Sequence, residues 1–157
     1  MTRLTIDRWT FECDPDATRG IYARLPTAAG GCDCSQCRNY TAALGTLFPP
    51  EIEAMAEALG VDLSKPAELT HWFREPTGCY LTGGWFHFVG RIVAGADIRP
   101  SEDGTGSVEY PSLAPGIHGG FTRHAALVAR EFAGREVTQW ELQMHVPWVL
   151  TGVAEPP

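Results

Sequence analysis

The sequence predicts an α+β fold: an antiparallel sheet with two early helices packed on one of its faces. Three observations carry that prediction. Between Ser35 and Gly60 the apolar residues recur with the spacing of amphipathic helices. From His71 onward they alternate, with turn residues between the runs. The composition, 44% hydrophobic against 20% charged over 157 residues, is that of one globular domain, residues 1–157. A chain of this size buries about two-thirds of its unfolded surface and needs no staple to fold.

The elements follow in order. Leu4 to Cys13 reads as a strand, with Trp9, Phe11 and Cys13 on one parity, ended by the turn residues Asp14-Pro15-Asp16. Ile21 to Leu25 suggests a short second strand, and Ala28-Ala29-Gly30-Gly31 a flexible approach to the cysteines. A helix starts near Ser35, with Tyr40, Ala43, Leu44 and Leu47 as its apolar stripe. Pro49-Pro50 stops it and opens a second. Glu51 and Glu53 suit the start of that helix, Ile52, Met55, Ala56 and Leu59 form its buried face, and Gly60 caps its end. Pro66 to Leu69 suggests a further helical turn.

Trp72 to Glu75, Pro76-Thr77-Gly78 and Cys79 to Thr82 then read as a hairpin. Gly83-Gly84 is expected to break or bend the chain before a central strand, Trp85 to Val93, with large apolar groups on both faces. Ala94 to Gly116 is a long loop, with at most a short strand at Ser107 to Tyr110. Phe121 to Phe132 is a strand or short helix. Val137 to Val146 is a strand with Trp140, Leu142, Met144 and Val146 buried, and Gln139, Glu141, Gln143 and His145 facing water. The tail, residues 152–157, is expected to be disordered.

Charge and hydropathy remove whole classes of function. Nineteen acidic against 12 basic residues leave a net charge of −7, which argues against nucleic-acid binding, since that affinity rests on Lys and Arg neutralising phosphates. No apolar run approaches the roughly 20 residues of a membrane span. Met1 to Arg8 breaks its apolar residues with charge and does not read as an export signal, so the cytoplasm is the expected compartment.

The chemistry lies in the cysteines: Cys13, Cys32, Cys34, Cys37 and Cys79. An odd number with two isolated members does not make a disulfide framework. Cys32-Asp33-Cys34-Ser35-Gln36-Cys37 places three thiols within six residues, and its Cys-x-x-Cys half has the spacing of a zinc knuckle. The positive end of a helix starting at Ser35 lies beside Cys34 and Cys37 and favours their thiolates, the form that binds metal and the form that attacks carbon or sulfur. Zinc on Cys32, Cys34 and Cys37 is the expected cofactor.

A closed tetrahedral site needs a fourth ligand, for which Cys13, Cys79, His71, His87, His118, His124 and His145 are candidates. His87, on the central strand, is the one favoured here; its plain alternative is a core imidazole hydrogen-bonded to its neighbours. His118-Gly119-Gly120-Phe121-Thr122-Arg123-His124 has no common ligand spacing and reads as a tight turn. No phosphate-binding loop, His-Glu-x-x-His or Gly-x-Ser-x-Gly occurs.

Three blocks together, Cys32 to Tyr40, Gly84 to Gly90 (Gly-Trp-Phe-His-Phe-Val-Gly) and Val146 to Leu150 (Val-Pro-Trp-Val-Leu), resemble a family of small uncharacterised bacterial proteins. With Leu59 to Asp62 and Lys65 to Glu68, the resemblance spans most of the chain. It implies a bacterial cytosolic protein, draws attention to the cysteine run and to His87, and implies nothing catalytic.

The leading expectation is a zinc-binding domain with a structural or partner-docking role. An enzyme using an open zinc site or an activated Cys34 or Cys37, gated by residues 94–116, is one alternative. A metal-free interaction module, docking a protein partner or a second copy of itself, is the other.

Overall fold

Asp7 divides the first apolar run. Its φ of 51° is tolerated by Asp better than by most residues, and it turns the chain into a hairpin of β1 (Thr2–Ile6) and β2 (Trp9–Cys13). The computed structural model, which describes residues 1–106 and 108–157, builds on this hairpin an antiparallel seven-stranded sheet preceded in part by four helices.

Where a turn and a strand were expected, Asp14-Pro15-Asp16 starts a helix, α1 (Pro15–Tyr22). The Asp14 carboxylate accepts the Ala17 amide at 2.9 Å and Pro15 occupies the first turn. Thr18, Ile21 and Tyr22 are its buried side, so the apolar residues of Ile21 to Leu25 belong to the end of a helix. Ala28–Gly31 forms a single turn, α2, capped by Thr27. α3 (Ser35–Leu47) and α4 (Pro50–Leu59) fall where the periodicity puts them, and Gly60 ends α4 in the left-handed conformation, φ 79°. Residues 66–69 make no helical turn; they lead into β3 (Glu68–Arg74).

The long central strand, β4 (Tyr80–Ala94), organises the sheet. One side pairs with β7 (Val137–Val146) from Tyr80 to Val89. The other is shared by β3 at Tyr80–Trp85 and β2 at Gly90–Ala94. Helix α1 closes the gap between them. The Tyr22 hydroxyl accepts the His87 amide at 3.1 Å and donates to the His87 carbonyl at 2.9 Å. Thr18 Oγ1 accepts the Val89 amide at 3.0 Å, and the Asp14 amide donates to the Val89 carbonyl at 2.9 Å. Every backbone group so exposed finds a partner, as buried strand edges require.

Gly83 and Gly84 do not break β4. They are sites of close packing: a Cβ at Gly83 would lie 2.9 Å from the Trp72 ring and one at Gly84 would lie 2.9 Å from Met144 Cε. Nor is there a turn at Gly119-Gly120, which lie inside β6 (Ile117–Thr122). Beyond β6, Arg130–Phe132 is one 3₁₀ turn. The short strand before β6 is β5 (Ser112–Ala114). Of the expected strand at Ser107 to Tyr110, Ser107 lies outside the described residues and 108–110 are not in a strand. The strand order is β1-β2-β4-β7-β6-β5, with β3 beside β4.

The aromatic core joins these strands. Phe11 meets Phe121 edge-on at 4.7 Å, and Phe121 stacks on Trp140 at 5.7 Å. One face of β7 is buried as predicted, and the other is wet only toward its end: His145 is exposed and Gln143 half-buried, but Gln139 and Glu141 are each 1% exposed. The loop after β4 covers them. Arg99 grips Glu141 with two hydrogen bonds of 2.6 and 2.8 Å, the Tyr110 hydroxyl donates at 2.8 Å, and Gln139 Nε2 donates at 3.2 Å. The tail folds back, Glu155 pairing with Arg74 at 2.7 Å and the Pro156 carbonyl accepting the Tyr80 hydroxyl. Among the described residues no helix is long and apolar enough to cross a membrane.

Candidate metal centre

Local rules place the three cysteines. Thr27 Oγ1 accepts the Gly30 amide at 3.0 Å and shapes the turn that delivers Cys32. Cys34 is the residue that caps α3, and its sulfur accepts the Cys37 amide at 3.3 Å. Thr41 ties the two pieces together: its hydroxyl donates to the Cys37 carbonyl at 3.1 Å and accepts the Ala29 amide at 3.2 Å. Behind them the helix is anchored to the body of the protein. Asn39 Nδ2 donates to the Pro147 carbonyl and Asn39 Oδ1 accepts the Val149 amide, at 2.9 and 2.8 Å, while the Tyr40 hydroxyl donates to the Leu63 carbonyl at 2.6 Å. The cysteine run and the Val146 to Leu150 block, far apart in sequence, are thus one hydrogen-bonded unit.

The ligand atoms of Cys32, Cys34 and Cys37 all lie within 4.8 Å of one another. Sulfurs around a tetrahedral zinc, each about 2.3 Å from the ion, stand about 3.8 Å apart. The donor set therefore fits after a contraction of about 1 Å or less. All three are free thiols; Cys32 and Cys34 are exposed and Cys37 is half-buried. Burial on its own would raise the Cys34 thiol. Hydrogen bonds from the Cys37 amide and from the Cys32 and Cys37 side chains outweigh it and hold Cys34 below the ordinary thiol value. The Cys37 thiol is pushed up, first by burial and then by its two sulfur neighbours. An early thiolate at Cys34 beside a reluctant thiol at Cys37 is an arrangement that a cation would complete, since the ion removes the repulsion between thiolates.

The sulfurs border a cavity of about 420 Å³. Pro26, Thr27 and Gly31 line it from the cysteines' own segment, and Pro66, Glu68, Leu69 and His71 line it from the segment that enters β3. A larger cleft of about 540 Å³ beside α1 and α4 holds no comparable group. Of its charged side chains, Arg19 pairs with Asp16, and Lys65 donates to the Tyr22 carbonyl at 2.7 Å.

The structure does not bring His87 to the sulfurs. It is 2% exposed, its Nε2 lies 2.9 Å from Gln139 Oε1, and it is hydrogen-bonded to the Ala126 backbone. Its burial lowers its pKa. Both features describe a neutral core imidazole. Cys13 is fully buried, and neither it nor Cys79 belongs to the group. His145 lies 2.6 Å from Glu75. Among the candidates that the sequence offers without ranking is His71, whose Nε2 is buried without a hydrogen-bond partner. Its place on β3, two residues from Leu69 and so on the same face, is the signal that a strand assignment starting at Glu68 would have supplied. No family model, curated protein or solved structure matches this chain.

Proposed function

We propose that this chain is a zinc-binding protein of the bacterial cytoplasm, in which Cys32, Cys34 and Cys37 hold one ion in a structural or partner-docking site. The observation that carries this reading is the convergence of three free thiols at the N-terminus of α3. Zn²⁺ displaces the three thiol protons, leaving a cluster of net charge −1 if the remaining ligand is neutral; the Cys37 amide and the positive end of α3 favour that charge. Thiolate donors select zinc over the hard cations, which prefer oxygen. Exposed Trp72 and Phe73, 42% and 57% accessible on the neighbouring strand β3, support a docking role.

Untagged protein purified under reducing conditions is expected to carry close to one zinc per chain by elemental analysis, and Cys34→Ser to lose it. Metal-free wild-type protein that takes up no zinc would contradict the reading. A second reading, Cys34 as an activated nucleophile, is favoured by its exposure and its lowered thiol pKa. Alkylation of metal-free protein that titrates no earlier than an ordinary thiol would exclude it.

A further inference from the structure

We infer that His71 is the fourth ligand and that the site is a closed Cys₃His centre. This rests on the reading of the three cysteines as a metal site and adds the residue that completes it. A tetrahedral zinc on three thiolates has one position left, and in a structural site a protein group fills it. The cavity that the sulfurs line is also lined by two donors from β3, Glu68 and His71. The two differ in one decisive respect. His71 Nε2 is shut off from solvent and has no hydrogen-bond partner, whereas the Glu68 carboxylate is not among the buried unpartnered atoms. A buried imidazole nitrogen left without a partner is a costly feature that calls for an explanation, and an ion supplies one.

The strand explains the placement. Leu69 and His71 share a parity on β3, and both line the cavity. Immediately after His71 the pairing with β4 shifts register: His71 faces Thr82, yet Phe73 faces Leu81. Such irregularities at sheet edges re-aim side chains and recur beside functional sites. The atoms within 4.8 Å of one another stop at the three sulfurs, so the imidazole reaches the ion by the closing of β3 and the cysteine loop across the cavity. Zinc would therefore clip α2 and α3 to the sheet.

The test is X-ray absorption at the zinc edge together with competitive zinc titration, on untagged wild type, His71→Ala, His71→Cys and Glu68→Gln. Wild type is expected to show three sulfurs and one nitrogen around zinc. His71→Ala should keep the ion with an oxygen in place of the nitrogen and weaken binding by about tenfold or more. His71→Cys should show four sulfurs, and Glu68→Gln should match wild type. A wild-type shell of three sulfurs and one oxygen, an unchanged His71→Ala, or an effect that follows Glu68 would overturn the assignment while leaving the cysteine site standing. Wild-type protein that binds no zinc would overturn both. Should His71→Ala fail to fold, the wild-type spectrum decides alone.

Discussion

The cysteine loop and the polar network between β4 and β7 both gather reactive side chains, and they treat them in opposite ways. In the network the titratable and amide side chains are answered by groups of this same chain: Arg99 and Tyr110 on Glu141, Gln139 between Glu141 and His87, and the Ala126 amide on Gln139. Glu141 and His87 are buried yet satisfied. In the loop, three sulfurs converge, and the cavity they line also holds a buried imidazole nitrogen with no partner. The first arrangement is complete without a ligand and stabilises the fold. The second leaves groups that a bound cation would complete. Reactive residue types alone do not separate the two; the difference lies in which groups are left unanswered.

The largest expected effect would break the comparison on the network side. Arg99→Ala leaves the Glu141 carboxylate buried and unpaired, and should cost about 3–5 kcal/mol of stability in urea titrations while leaving zinc content unchanged. Burial by itself would raise the Glu141 carboxyl, but Arg99, Tyr110 and Gln139 hold it below the ordinary carboxylate value. Its folded pKa thus lies below its unfolded one. The stability it contributes is present above the ordinary carboxylate range and is lost as pH falls through the folded value. Wild type should show that acid loss, and Arg99→Ala should lack it.

Next in size is the site itself. If the roughly 10–16 kcal/mol of a structural zinc is shared among four ligands, Cys34→Ser should weaken binding about a hundredfold, by about 3 kcal/mol. Removing the ion with a chelator should speed amide exchange in residues 28–41 and 66–71 and leave β4 and β7 protected, because the aromatic core does not depend on it.

A smaller effect sharpens the contrast between the two histidines. His87→Ala should lose about 1–3 kcal/mol of stability yet keep its zinc. Burial lowers the pKa of His87, partly offset by Gln139 and the Ala126 backbone. The unfolded chain therefore takes up a proton first. Stability is full above the ordinary histidine value and declines as pH drops from there toward the lowered folded value. That decline should vanish in the variant.

The smallest effect is expected at Gly83→Ala. The added Cβ meets only the half-exposed Trp72 ring, which can swing aside, so the loss should stay under about 1 kcal/mol with zinc retained.

Much of this was readable from the residues. α3, α4, the β3–β4 hairpin and β7 follow from period and punctuation, because their buried faces are regular. α1 was misread because Asp14-Pro15 serves equally as a turn and as a helix start, and eight residues give little periodicity to decide between them. The two Gly-Gly pairs were misread because glycine marks close packing as well as bends. Gly83 lies against Trp72 and Gly120 against Ile98, contacts that only the assembled sheet reveals. The cysteine run was legible because its three thiols are neighbours in sequence. The preference for His71 over the other candidate histidines and the buried state of Glu141 were not, since each depends on groups dozens of residues away.

The most direct test is native mass spectrometry of untagged, fully reduced protein during zinc titration. One ion per chain, bound by wild type and taken up by Cys34→Ser only at about a hundredfold higher free zinc, is the predicted result. A wild-type chain that weighs as bare polypeptide at every zinc concentration would contradict the account.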